Sequence, residues 1–186
     1  ISSLAEKNAK QSLKQKLVQS DTNNNLIEEL ASKFNINNNI ELIEVYDNSH
    51  IQGTDSVGSL ICFGNEGFVK KRYRKFNIKD EKVKNDDYGM MKEVLFRRFS
   101  KAIKEKSGSL SLPDLIMIDG GKGQYSVSRE VLNELGLHDL PILAVAKGKR
   151  RNAGEEKIYY KNKKYTLDRN DPVSYTHLTL PTKCWG

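Results

Sequence analysis

Ile40-Glu41-Leu42-Ile43-Glu44-Val45-Tyr46-Asp47-Asn48-Ser49-His50 reads as an apolar strand that stops at a carboxylate and gives way to a small polar turn. A second segment repeats the design: Leu115-Ile116-Met117-Ile118-Asp119-Gly120-Gly121. Both are short apolar runs bounded by turn residues, the pattern of buried strands. If the two lie side by side in one sheet, their terminal carboxylates meet. Paired carboxylates of that kind suit a divalent metal. The order of the elements around them therefore decides the reading.

Downstream of the first strand, Ser56 to Phe63 is a second β-compatible run, and Gly64-Asn65-Glu66-Gly67 supplies hairpin turn chemistry. A third strand is expected from Phe68 to Ile78, with Val69, Lys71, Tyr73 and Lys75 on one face and Arg72, Arg74, Phe76 and Ile78 on the other. Lys79 to Asn85 is a charged loop. Asp86 or Asp87 then caps a helix to about Lys106, in which Met91, Val94, Leu95, Arg98, Phe99, Ala102 and Ile103 recur at helical spacing. After the loop Ser107 to Pro113, Leu115 to Ile118 is apolar on both faces, as a central parallel strand should be. A helix from about Gln124 carries Val127, Val131, Leu132 and Leu135, and Gly136 stops it. Ile142 to Ala146 is a fifth strand, and Ile158 to Tyr160 with Lys163 to Leu167 suggests a small terminal hairpin.

Upstream, Ser2 to about Phe34 reads as helical, with a sparse stripe at Leu4, Leu13 and Leu17 and a better one at Leu26, Ile27, Leu30 and Phe34. Ser20-Asp21-Thr22-Asn23-Asn24-Asn25, rich in capping residues, predicts a loop between them. This places a helical connector over 1–39 and the main domain over 40–173, with an atypical tail over 174–186. The fold class is α/β, a mixed sheet with a three-strand antiparallel meander followed by parallel strands and crossover helices. That is the element order of the RNase H-like fold. There the first and fourth strands are parallel neighbours, so Asp47 and Asp119 become adjacent.

A length of 186 residues suits one domain with a real core. Lys and Arg number 31 against 24 Asp and Glu, a net charge of +7 that fits a polyanion partner, though many basic proteins bind nothing in particular. Cys62 and Cys184 are far apart and lack CxxC partners, which argues against a zinc site or disulfide framework. No apolar run reaches transmembrane length and the N-terminus does not resemble a signal peptide, so no membrane partner is expected and a reducing cytoplasm is the expected compartment. A first residue of Ile rather than Met suggests a fragment of something longer.

Two divalent ions can activate a water and stabilise the leaving oxygen of a phosphodiester, and carboxylate oxygens suit magnesium or manganese. Asp47 and Asp119 are the candidate ligands; the alternative is that each caps the turn after its strand. In Asp86-Asp87, one residue can cap the helix and leave the other to approach a metal. His50 can bond to Asp47 or a phosphate, or stabilise its turn. Asp114 reads as a surface residue before a strand. Gly120-Gly121-Lys122-Gly123-Gln124 resembles a phosphate-cradling loop but lacks Walker A spacing, and a sharp strand-to-helix turn explains its glycines equally well. Lys147-Gly148-Lys149-Arg150-Arg151-Asn152-Ala153-Gly154, together with Lys70, Lys71, Arg72 and Arg74, forms either a track for a sugar–phosphate backbone or simply solvated loops.

The motifs Ile43-Glu44-Val45-Tyr46-Asp47-Asn48-Ser49-His50-Ile51-Gln52-Gly53, Tyr73-Arg74-Lys75-Phe76-Asn77-Ile78 and Asp86-Asp87-Tyr88-Gly89-Met90-Met91 continue in order with Pro113 to Gln124, Ala146-Lys147-Gly148 and Arg151-Asn152-Ala153-Gly154. Together they resemble UvrC, the incision subunit of the bacterial excinuclease, from near Ile1 to Val173. The resemblance implies an RNase H-like endonuclease domain that cuts on the 5′ side of a DNA lesion. It implies metal-binding catalytic roles for Asp47 and Asp119, a role in incision for Asp87, and damaged double-stranded DNA as substrate. The UvrB–DNA complex is the implied partner of the full-length protein. His50, Arg72, Arg74, Lys122, Lys147, Lys149, Arg150 and Arg151 are the candidate DNA contacts. The family's GIY-YIG nuclease, UvrB-contacting segment and helix-hairpin-helix pair do not occur among these residues.

Beyond Asn170-Asp171-Pro172-Val173 the family continues into a helix with an Arg-Asp-Glu-x-His motif, whose His completes the catalytic set. This chain instead reads Ser174-Tyr175-Thr176-His177-Leu178-Thr179-Leu180-Pro181-Thr182-Lys183-Cys184-Trp185-Gly186. His177 does not sit in the motif and takes no role from it. The expectation is a foreign or frameshifted tail and an incomplete site. The function expected is a metal-dependent DNA endonuclease. Its rivals are a non-cleaving DNA-binding module of the same fold and an RNase H-like nuclease acting on RNA–DNA hybrids.

Overall fold

The computed structural model describes residues 2–36, 39–51, 55–105, 111–147 and 156–166. Its elements run α1 (Ser2–Lys33), β1 (Leu42–Ile51), β2 (Asp55–Gly64), β3 (Gly67–Phe68), β4 (Arg74–Asn77), α2 (Asp87–Glu105), β5 (Leu115–Asp119), α3 (Lys122–Glu134), β6 (Ile142–Ala146), β7 (Lys157–Tyr160) and β8 (Lys163–Thr166). All the strands join one sheet in the order β3-β2-β1-β5-β6-β7-β8, with β4 alongside β2. β1 pairs antiparallel with β2 and parallel with β5, and β5 pairs parallel with β6. This is the α/β arrangement expected from the element order. The hairpin β7–β8 adds to it by extending the sheet beyond β6.

Alternation along the strands makes two cores. Ile43, Val45, Leu115, Met117, Leu143, Val145 and Ile158 face Ile27 and Leu30 of α1 and Phe34 just after it. Tyr46, Leu60, Cys62, Ile116, Ile118, Ile142 and Ala144 face α2 and α3, packing with Met91, Val94, Leu95, Phe99, Val131 and Leu132. With helices on both sides, β5 buries both its faces, which explains its unbroken apolar run. Its register against β1 is pinned at one end by Asp114. The Asp114 carboxylate accepts from the N–H groups of Glu41 (3.0 Å) and Leu42 (2.9 Å), and its own N–H donates to the Leu42 carbonyl at 2.9 Å. The residue expected to be a plain surface Asp is a strand clamp.

Three further expectations are corrected. The strand expected to stop at Asp47 and give way to a polar turn instead runs on to Ile51, because β2 supplies backbone partners from Asp47↔Ser59 to Ile51↔Asp55. The loop predicted at Ser20–Asn25 does not form, because α1 runs without a break. The capping side chains find other partners: Thr22 Oγ1 donates to the Val18 carbonyl one turn back (2.9 Å), and Ser20 Oγ donates to the Asn65 carbonyl (3.3 Å). The helix stops at Asn35, whose φ of 48° is left-handed, with Ile36 N–H reaching back to Ala31 O at 2.8 Å. Nor is the third strand continuous. Between the pairs Phe63↔Phe68 and Leu60↔Arg74, β2 moves three residues while the chain moves six. The surplus loops out as the 3₁₀ turn Lys70–Arg72, so the two-faced alternation expected across Phe68–Ile78 does not exist.

Candidate active site

The register of β1 on β5 decides the geometry of the carboxylates. Tyr46 lies opposite Ile118, so Asp47 and Asp119 come next at the same level on adjacent strands, about 4.8 Å apart in the pairing direction. Both continue the odd-numbered columns Ile43-Val45 and Leu115-Met117, and so face the α1 side of the sheet at its open end. Burial, and after it the charge of Asp119, push the Asp47 carboxyl up to about 6, while Lys147 opposes the rise. Lys147 Nζ sits 2.7 Å from Asp119 Oδ2; the Asp119 side chain is 8% exposed and the lysine 49%. The Asp119 carboxylate is thus held by a cation rather than by a turn amide.

The neighbouring Asp86-Asp87 pair divides its work. Asp86 is the cap, its Oδ1 accepting from Tyr88 N–H at 3.0 Å and its carbonyl from Met90 N–H at 2.8 Å. Asp87 is the exposed first residue of α2, and its carbonyl accepts from Asn48 Nδ2 at 3.1 Å. The strand-to-helix turn after Asp119 is tight. Gly121 N–H donates to Gln124 Oε1 (2.9 Å) and Gly120 N–H to Val145 O (3.0 Å), so two of its amides are already engaged within the protein. A Cβ on Gly123 would lie 2.5 Å from the Tyr88 ring, so the half-exposed tyrosine would have to swing aside for any larger residue. The engaged amides of Gly120 and Gly121 favour the turn explanation of those two glycines.

The candidate cations divide as well. Lys122 opens α3 and is exposed. Arg72 is bound to Ser111, through Oγ at 3.2 Å and the carbonyl at 3.1 Å. Arg74 Nη1 donates to the carbonyls of Lys71 (3.0 Å) and Tyr73 (2.7 Å). Lys147 is at Asp119. Lys149, Arg150, Arg151 and the His50 side chain lie outside the described residues.

Residues 31–179 match the family described as the UvrC RNase H endonuclease domain. The chain belongs to that family. UvrABC system protein C of Hyphomonas neptunium is 49% identical over 177 residues, covering 92% of this chain and 29% of that protein. That of Cereibacter sphaeroides is 47% identical over 175 residues, covering 92% and 28%. The chain thus spans less than a third of the length of these curated relatives. Among solved structures it is similar to the catalytic domain of human endonuclease V, with 20% identity and a TM-score of 0.37 over 58% of this chain and 45% of that one. Ciona intestinalis endonuclease V with inosine-containing DNA gives 14% identity and a TM-score of 0.40 over 75% and 59%.

Two features of this UvrC domain escape sequence reasoning. Lys75 lies on the rung of Asp47, since Asp47 pairs with Ser59 and Ser59 with Lys75. Only the correct break in the third strand reveals that register. Beneath the site, Glu44 and Arg98, 1% and 4% exposed, form an ion pair at 2.6 Å, and Tyr46 OH donates to Glu44 Oε2 at 2.6 Å. Burial and the Glu44 carboxylate hold the Tyr46 hydroxyl well above its ordinary pKa. The available signal was two opposite charges on facing apolar stripes.

The donor set fits a hard divalent cation. Asp47 and Asp119 present carboxylate oxygens, the ligand type such a cation takes, and the Lys147 ammonium stands beside Asp119 as a positive charge in this position. Among the described residues no third His, Cys, Asp or Glu joins them in a cluster, and Asp87 stands at the adjacent helix start. No helix of the described residues is long and apolar enough to cross a membrane.

Proposed function

We propose that this UvrC domain is a metal-dependent DNA endonuclease acting in nucleotide excision repair, making the incision 5′ to a lesion in damaged double-stranded DNA. The observation that carries the reading is the level pairing of Asp47 and Asp119 on parallel neighbours, with burial and then the Asp119 charge raising the Asp47 carboxyl. These two residues hold magnesium or manganese. When bound, the ions supply activation of water and stabilisation of the leaving oxygen. Asp87 supports a second ion or the substrate from the start of α2. Lys147 and Lys122 neutralise phosphate beside the carboxylates, while Arg72, Arg74, His50, Lys149, Arg150 and Arg151 extend the contact along the backbone. In a full-length protein the partner is the UvrB–DNA complex.

Cutting of a lesion-bearing duplex in manganese, with the His-bearing helix that the family resemblance implies after Val173 in place, tests the reading. Asp47→Ala and Asp119→Ala should each reduce the rate about 100-fold or more, because each removes a ligand of the ion that activates the nucleophile. Cleavage that persists in both variants overturns the assignment. Preference for an RNA–DNA hybrid over lesion-bearing duplex would replace the repair substrate with the hybrid.

A further inference from the structure

Asn48 follows Asp47 on β1 and, by alternation, faces the opposite side of the sheet, toward the start of α2. Its Nδ2 donates to the Asp87 carbonyl at 3.1 Å. Only the amide nitrogen can donate to a carbonyl, so the contact fixes which way the side chain points. Oδ1 is then turned into the protein, where it is buried without a hydrogen-bond partner. The residue paired across from Asn48 is Gly58. A Cβ there would collide with Val94 Cγ2 and lie 3.3 Å from Asn48 Oδ1. The glycine lets α2 close onto the sheet and leaves room for the amide.

An orphaned buried oxygen and a glycine inside a strand both oppose stability. Here both surround one contact, which joins the strand bearing Asp47 to the helix turn bearing Asp87. We propose that Asn48 is a positioning residue that holds the Asp87 turn in register with Asp47. It touches neither substrate nor reacting atoms. The inference rests on the reading above, in which Asp47 and Asp87 serve the same reaction.

Asn48→Leu keeps roughly the side-chain volume, removes the donor and adds no charge beside Asp47; Asn48→Ala removes donor and orphan oxygen together. Both variants should lower kcat on lesion-bearing duplex about 10–100-fold, the usual cost of losing an outer-sphere partner, with KM for DNA and Tm nearly unchanged. In a cycle with Asp87→Asn, the double variant should be no slower than Asp87→Asn alone, because both changes act through one group. Amide hydrogen exchange should quicken in the first turn of α2 and nowhere else, a readout that requires no cutting. An unchanged kcat, multiplying losses in the double variant, or unchanged exchange overturns the proposal. If Asp87→Asn is silent while Asp47→Ala abolishes cutting, the reading of Asp87 fails and takes this inference with it. If Asp87→Asn is impaired and the Asn48 variants are silent, only this inference fails.

Discussion

Asp47 carries a carboxyl whose folded-state pKa, about 6, lies above its ordinary 3.8. The folded protein therefore holds this proton more tightly than the unfolded chain does. Stability from this group is present at low pH and is lost as pH climbs from about 4 to about 6. In metal-free protein, Asp47→Asn should raise stability at pH 7 by about 1–2 kcal/mol, discounted for partial exposure, and flatten that stretch of the pH–stability curve. Thermal melts across the range check it, and a variant less stable than the parent at pH 7 contradicts it. Lys147→Ala should act in the opposite sense, costing about 0.5–1 kcal/mol at pH 7 and moving the Asp47 titration upward, as NMR of the carboxyl would register. Both carboxylates were legible because each closes an apolar run, although only Asp119 ends its strand and β1 continues past Asp47 to Ile51. Glu44 and Arg98 were not, because a charge on an apolar stripe looks like an interruption until its partner is known.

At the scale of elements, the last third of α1 belongs to the core and its middle does not. Leu30→Ala should cost about 2–5 kcal/mol by opening a cavity beneath the sheet, whereas Leu17→Ala, at a position 57% exposed, should stay within about 0.5 kcal/mol. Equal effects in denaturant melts would contradict this division. The tie between β1 and α2 is the second element-scale contact. Arg98→Met should cost about 3–5 kcal/mol because it strands the buried Glu44 carboxylate, and adding Glu44→Gln should recover part of the loss. The stripe at Ile27, Leu30 and Phe34 was readable from helical spacing. The continuity of the helix was not, since Thr22 has the same composition signal whether it caps a new helix or bonds back to Val18. The 3₁₀ turn at Lys70–Arg72 was hidden for a similar reason: alternation over a few residues does not reveal that β2 offers too few partners.

Across the whole molecule, the sheet order follows from a meander and two crossovers, and it was legible because right-handed βαβ connections leave few other arrangements. The charge of +7 was equally visible, yet its placement depends on register: Lys75 reaches the rung of Asp47 while Arg72 is engaged with Ser111. If DNA binds through several such cations, raising salt from 50 to 200 mM should weaken it about 10-fold or more, with a linear log–log slope counting the phosphates engaged. A salt-independent affinity would remove the backbone track.

The clamp at Asp114 has a consequence at the far end of the strand it starts. From Asp114 to Asp119 is one short strand, roughly 16 Å of extended chain. By fixing where β5 begins against Glu41 and Leu42, Asp114 also fixes where it ends. A slip of one residue would turn the Asp119 carboxylate into the core under α2 and α3 and present Ile118 to the site. Asp114 therefore works as the zero mark of a ruler five residues long, on which the meeting point of two distant parts of the chain is measured.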